Sequence, residues 1–490
     1  MRGGVLRFAT RSDSLGLDPH RHLVYPVSVP LAATMQGLVD VNLRSEPVPG
    51  VAAEWEVSPD LQTYTFRLRR GVSFHNGHEV DASAVKWNFL RMLDPKIGHP
   101  YIRSSLINLQ TVETLDRYTV RFHLHEPSVA FPAHVTYYPC SLIAPQSDTQ
   151  IQRHPHGCGP FRLVSWERDQ MTEVRRFEHY FETDAEGNPL PYLDGIVGRP
   201  KHVDSIRLMR LRSGQVDLME TVANIDIRTF SAYYARRFQF WNVPTLGTSY
   251  LLFNLHTGPF ADKRLRQAAA HAIDHDLLKR VVFYNRGQTA RSFYASTSPW
   301  YAVGVKPWPT YDPDQARFLL RQAKAMGTTV VLQSLRTSPY VQQTAALIQG
   351  MWSDVGFNVV HKMYGMRELN QKRQDRAFHA EATSASYRFD PDAWFFRRLH
   401  SAATSSRGAL GFHHAHVDAL IETARRTQHK PERLELYAEI DSIINQELPI
   451  LYLHHLTLFE VGVMHLNGYQ PAISGLFSTR GAGVRTAWLA

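Results

Sequence analysis

Cysteine is nearly absent: Cys140 and Cys158 are the only two in 490 residues. That excludes a disulfide scaffold. No apolar run approaches the ~18 residues that a membrane-spanning helix needs, so none is expected. Lys and Arg outnumber Asp and Glu by 54 to 45, a net charge of +9, yet no run of five basic residues occurs. A nucleic-acid surface gathers its charge into a patch. The excess here reads as background, with weak attraction to an anionic membrane surface at most. Catalytic motifs are missing too. There is no G-x-x-x-x-G-K-S/T phosphate loop, which argues against an ATPase. There is no G-x-S-x-G elbow and no H-E-x-x-H pair. Gly71-Val72-Ser73-Phe74-His75 approaches an elbow but lacks its second glycine. Repeats and low-complexity segments are also absent. No nucleophile–base set stands out, so an enzyme is not expected.

What is present is ordinary globular chemistry, 43% hydrophobic and 20% charged. The chain is too long for one core, and two or three domains are expected. The stretch from Val51 to Leu93 is the most informative. Ser58-Pro59-Asp60 is turn chemistry. Tyr64, Phe66 and Leu68 then alternate with Thr65, Arg67 and Arg69, the period of a strand with one buried and one wet face. Gly71 ends the run, and His75-Asn76-Gly77-His78 turns again. Asp81 stands where a helix N-cap belongs, its carboxylate placed to accept from unpaired N–H groups. Val85, Phe89 and Met92 follow at helical spacing. Thr119 to His125 alternates as the Tyr64 strand does and can pair with it. Val5 to Ala9 reads as a strand, and Pro30 to Leu38 as a helix. Tyr311-Asp312-Pro313-Asp314 opens another helix, with Asp312 as cap, Pro313 in the first turn and Gly327 just past the end. Val341, Ala345, Ile348, Trp352 and Val355 form the apolar stripe of the next, closed by Gly356. Pro431 to Gln446 is amphipathic and leads into a buried-strand pattern over Leu448 to Tyr452.

The order of residue types in that stretch says more. Trp55, Ser58, Asp60, Tyr64-Thr65-Phe66, Leu68-Arg69, Gly71-Val72, Phe74-His75 and Gly77 resemble the signature of the dipeptide- and oligopeptide-binding proteins that serve ABC importers. Asn76 and His78 depart from the family's usual residues but keep a polar turn. Further likenesses are Leu17-Asp18-Pro19, Gly157-Cys158-Gly159-Pro160-Phe161, Tyr192-Leu193-Asp194, Gly214-Gln215-Val216-Asp217, Phe253-Asn254 with Pro259 to Ala268, and Gly468-Tyr469. They run through nearly the whole chain.

The resemblance implies an α/β, two-lobed periplasmic-binding-protein fold (type II-like) with an extra subdomain inserted in the first lobe. The implied boundaries are 1–40 for lobe I, 41–164 for its inserted subdomain, 165–245 for its continuation, 246–464 for lobe II and 465–490 for the return segment. Two crossings are expected, near Asn242 to Asn254 and Val461 to Tyr469, with lobes that close on ligand. The implied role is that of a periplasmic, monomeric carrier without cofactor. It delivers a small molecule to ABC-importer permease subunits and binds no nucleic acid. Met1 to Phe8 lacks the layout of a signal peptide; the resemblance implies a mature chain whose leader has been removed. In an oxidising periplasm Cys140 and Cys158 form either a disulfide or two buried thiols.

The expected ligand site departs from the family. Peptide-binding relatives carry W-x-x-D-x-x-D-P, whose first Asp holds the ligand's α-amino group by a charge-assisted bond. Counting back from Asp390-Pro391, that Asp falls on Tyr387 and the Trp on Ser384. An ammonium without its counter-charge loses roughly 3 kcal/mol or more. Plain peptides are therefore expected to bind poorly. Arg336 lies within one position of the family's carboxylate-binding arginine and suits an acid. Arg388 adds positive charge. Tyr387, Phe389 and Trp394 offer aromatic faces, for which core packing is an equal reading. Asp390, and His22 and Tyr25 in the loop after Leu17-Asp18-Pro19, complete the expected set. The ligand classes are a modified peptide, an opine-like or glycosylated acid, or an oligosaccharide. Histidine is abundant, and His413-His414-Ala415-His416 or His154-Pro155-His156 offers the alternative of a nickel or metal-chelate carrier. A single short tract rarely closes a metal site. A cytoplasmic sensor domain of a regulator is the remaining alternative.

Overall fold

The computed structural model describes residues 3–11, 13–22, 29–145, 151–220, 227–385, 389–403, 410–471 and 482–490. These divide into two compact units, one of Met1–Val243 with Leu458–Ala490 and one of Pro244–Thr457. Both changes of unit fall inside long strands, Phe238–Phe253 and Ile450–Val463.

In the first unit Val5–Ala9 lies between Gly195–Gly198 and Leu218–Met219, parallel to both. Met171–Arg176 and Phe161–Glu167 extend the sheet antiparallel on one side. The end of Ile450–Val463 extends it on the other, with Leu218 opposite Gly462 and Met219 opposite Val461. Leu6, Phe8, Ile196, Leu218 and Val461 form its buried core.

A separate antiparallel sheet of four strands holds the signature stretch. Tyr64 pairs with Phe122 and Phe66 with Val120, so the two alternating runs do meet. Their inward residues build an aromatic cluster in which Phe66 and Phe122 stand edge to face at 5.3 Å. Asp81 caps the helix Ala82–Leu93, accepting from Ala84 N at 2.8 Å. Val85, Phe89 and Met92 are on its buried face.

The expected Pro30–Leu38 helix is corrected: it is a single turn, Val29–Ala32. The backbone of residues 157–161 takes the groups a longer helix would use. Gly159 N donates to Thr34 O at 3.2 Å and Phe161 N to Ala33 O at 3.2 Å. A Cβ on Gly159 would stand 2.5 Å from the Thr34 carbonyl carbon, so this approach requires glycine. Cys140 and Cys158 are buried thiols with no disulfide among the described residues. Cys140 Sγ donates to His134 O at 3.7 Å.

In the second unit Thr329–Leu335 lies parallel to both Asn358–Tyr364 and Ala380–Ala385. Phe238–Phe253 runs antiparallel to Ala380–Ala385. The helix Pro339–Val355 ends at Gly356, whose φ of 114° is left-handed. Its stripe packs with Phe253, Phe260 and Leu332 around Trp352. Asp312 caps Pro313–Gln322 by accepting from Gln315 N at 2.9 Å. That helix stops before Gly327, because Lys324 already turns left-handed at φ 54°.

Candidate functional site

Ligands of α/β sheets gather outside the carboxyl ends of parallel strands. In the second unit that edge is formed by the ends of Thr329–Leu335 and Ala380–Ala385. Arg336 follows the first directly and is exposed. Its amide donates to Tyr364 O at 2.8 Å, and Nη2 donates to Met363 O at 3.0 Å. Those bonds tie its backbone and one nitrogen to the neighbouring strand. Its remaining guanidinium donors have no partner among the described residues.

The chain then turns into Pro339–Val355. Ser338 stands at the N-cap without a side-chain cap bond, so the first amides of a 17-residue helix face the same edge. Tyr340 Oη lies 2.6 Å from Ser384 Oγ, which joins this helix start to the end of Ala380–Ala385. The edge thus presents a guanidinium, a helix N-terminus and hydroxyls, a donor set for an anionic group.

Tyr387, Arg388 and Tyr25 lie outside the described residues. Phe389, Asp390 and Trp394 belong to the interior. Asp390 is 4% exposed. Arg433 Nη1 and Nη2 donate to its two oxygens at 2.9 and 2.7 Å. Burial alone would lower the Arg433 pKa, but the Asp390 charge overrides it and holds the guanidinium above its ordinary value. Trp394 is 0% exposed. It stacks on Phe293 at 3.8 Å and meets Tyr250 edge-on at 5.0 Å. Phe389 is 1% exposed, and its carbonyl accepts from Trp300 Nε1 at 2.8 Å. In this structure these three side chains pack and present no face to solvent.

In the first unit His22 is half-buried. Burial, offset by Asp18 and reinforced by Arg21, holds its imidazole below the usual value. Asp18 of the Leu17-Asp18-Pro19 turn is locked by Arg91, at 2.7 and 3.0 Å. The histidine tract is partly engaged elsewhere. His414 accepts from Val417 N at 3.3 Å as a helix cap, and His416 Nε2 stands 2.7 Å from Glu439. Both line a groove of about 420 Å³. Among the described residues no three His, Cys, Asp or Glu are grouped to hold a metal ion.

Sequence reasoning missed Arg433 and the Tyr340–Ser384 link. A signal for Arg433 existed: an arginine on the inward face of a helix that carries Tyr437 and Ile440 requires a buried acid.

The model for bacterial extracellular solute-binding proteins, family 5 Middle, matches residues 46–406. The chain belongs to this family. Proteins of family 5 bind small solutes and work with ABC permeases. The dipeptide-binding protein of Escherichia coli (strain K12) is 26% identical over 478 residues, covering 90% of this chain and 86% of that protein. Two solved structures share the two-lobed fold. One is the periplasmic binding protein DppA from Helicobacter pylori in complex with peptide STSA, at TM-score 0.85 and 24% identity, covering 100% of this chain and 98% of that one. The other is AgaA in complex with agropinic acid, from A. tumefaciens R10, at TM-score 0.84 and 23% identity, covering 99% of each chain. The relatives are binding proteins, and among the described residues no helix is long and apolar enough to cross a membrane.

Proposed function

We propose that this protein is a periplasmic, non-enzymatic binding protein that captures a small acidic solute and delivers it, as a monomer, to the permease of an ABC importer. The observation that carries the reading is Arg336. It is exposed at the carboxyl end of a parallel strand, beside a helix start that lacks a side-chain cap, with donors unpartnered among the described residues. A planar guanidinium and helix amides together favour a carboxylate. Tyr387 stands where peptide-binding relatives place the acid that holds an α-amino group, which weighs against plain peptides. An acid of the modified-peptide or opine-like class fits this pattern better than a neutral oligosaccharide.

Calorimetry with agropinic acid and with the dipeptide Met-Leu tests it. The acid should bind more tightly than the dipeptide. Arg336→Ala should weaken the acid by roughly 2–5 kcal/mol, less at high salt. A loss under about threefold with no salt dependence would remove Arg336 from the site and favour a neutral sugar.

A further inference from the structure

The strand pair that leads to Arg336 changes character along one face. In-register neighbours on parallel strands share a face. Val330 pairs with Val359, Leu332 with His361 and Ser334 with Met363. Val330, Val359 and Leu332 belong to the core around Trp352. His361 and Ser334 come next, joined by a 2.8 Å hydrogen bond between Nε2 and Oγ. Met363 and Arg336 end the row. Arg336 keeps the ladder by donating its amide to Tyr364 O, and its Nη2 reaches Met363 O at 3.0 Å. Beyond a core and a polar seal, the wet end of the row calls for another polar side chain. The sequence places a thioether there instead, 45% exposed.

The turn that follows repeats the choice. Gly365 is the N-cap of the helix Met366–Gln374, and Met366 is 46% exposed. Neither methionine belongs to a core cluster of the described residues. The second unit's other two methionines do pack: Met351 lies in the core with Trp352, and the Met326 methyl lies over Gly356. Between Met363 and Met366 a Cβ on Gly365 would meet no heavy atom within 4 Å, so the space there is open. Gly365 has φ −68° and ψ 161°, extended backbone that any residue adopts. Conformation does not require glycine at this point; what glycine leaves is room. Methionine is unbranched and polarizable, and it serves at binding surfaces because it adapts to aliphatic and aromatic groups. Leaving two of them in water forgoes the gain of burying them. Beside a guanidinium they make an amphipathic edge, with a charge for an anion and apolar surface next to it.

We propose that Met363 and Met366 form the contact for an apolar or aromatic group carried next to the solute's carboxylate, with the carboxylate on Arg336 and the apolar group over Gly365. This rests on the solute-binding reading above and narrows its acids. Tyr387 stands where peptide-binding relatives place an acid for the α-amino group, so a free ammonium finds no match there. The class that meets both conditions is an amino acid or short peptide whose nitrogen is acylated and whose carboxyl-terminal side chain is apolar.

The test is calorimetry with N-acetylleucine and N-acetylasparagine, which match in charge and nearly in shape and differ in an apolar against a polar side chain. Wild type should prefer the leucine compound by about fivefold or more. Met363→Ser with Met366→Ser should bring the two within about twofold. Gly365→Leu fills the open space and should weaken the leucine compound by on the order of tenfold. With isotope-labelled methionine methyl groups, NMR should show the Met363 and Met366 signals, assigned through the single variants, shifting on titration with N-acetylleucine. A structural role alone would move neither the ratio nor those signals, and thermal melting checks that each variant folds. Equal binding of the two compounds, an unchanged ratio in the double variant, wild-type affinity in Gly365→Leu, methyl signals that stay in place, or binding of agropinic acid alone overturns the contact and leaves the solute-binding reading standing. Failure of all three acids to bind overturns both.

Discussion

In the second unit the buried Asp390 and Glu381 each face an arginine, Arg433 and Arg373, at hydrogen-bonding distance. In the first unit Asp18 is locked to Arg91 in the same way, but among the described residues the buried Glu220 and Glu460 are bonded only by the Arg11 amide and the Tyr469 hydroxyl. Net charge also differs between the two units. Residues 244–457 hold 25 Lys and Arg against 18 Asp and Glu, and the remainder hold 29 against 27. A carboxylate locked to an arginine inside a core organises the chain around it and has nothing left to offer a solute. A buried carboxyl at a strand end that is bonded only by an amide or a hydroxyl is held less firmly, and burial raises its pKa. The comparison teaches that burial of an acid is not itself a sign of function. The sign is what its other lone pairs are doing.

The comparison can be broken most directly at Arg433. Replacing Arg433 with Met leaves Asp390 buried without its cation, and a loss of roughly 3–5 kcal/mol is expected. Urea unfolding at neutral pH measures it. Asp390→Asn with Arg433→Met should recover most of that loss. If Arg433→Met costs under about 1 kcal/mol, Asp390 is not held as described.

Asp441 sharpens the same point inside the second unit. It accepts from Tyr452 Oη at 2.9 Å, and burial raises its pKa to about 8, with that bond offsetting only part. The sign follows from proton uptake. The folded state holds this proton more tightly than the unfolded chain, so the stabilisation is complete below about pH 4 and is lost as pH rises through about 8. Asp441→Asn should remove that slope and stabilise the protein at pH 9 by on the order of a few kcal/mol. Melting curves at pH 5, 7 and 9 decide it. Parallel slopes for wild type and variant would mean that Asp441 ionises as freely folded as unfolded.

Local signals read well in the sequence, and long-range partners did not. The Tyr64 strand, the Asp81 and Asp312 caps and the Pro339–Val355 helix all depend on neighbours within a turn or a few alternations, and each formed. The helix expected from Pro30 stopped early because the backbone of residues 157–161, remote in sequence, takes its hydrogen bonds. Trp394 carries no local mark that separates a stacking platform from a core residue; Phe293 and Tyr250 decide that it packs. Glu220 comes just beyond the Gly214 to Asp217 stretch, after Leu218 and Met219, yet its neighbour in the sheet, Glu460, is on a strand that arrives from the far end of the chain. Register pairs them, and register is not written in either segment alone.

The smallest expected effect comes from giving the second unit's edge an acid of its own. Ser338 stands at the N-cap of Pro339–Val355 without a side-chain bond, whereas Asp81, Asp262, Asp274 and Asp312 each accept from a helix amide. Ser338→Asp supplies an acceptor and a charge matched to the helix dipole, worth about 0.5–1 kcal/mol of stability. The same carboxylate would then stand beside Arg336 where an acidic solute is proposed to bind. It would compete for the helix amides and repel the solute's anion. Stability and affinity should therefore move in opposite directions: melting temperature up slightly, agropinic acid affinity down by on the order of tenfold. A purely structural N-cap would raise the first and leave the second unchanged. If the variant melts higher and binds the acid as wild type does, the helix start is not part of the anion site, and Arg336 acts there without it.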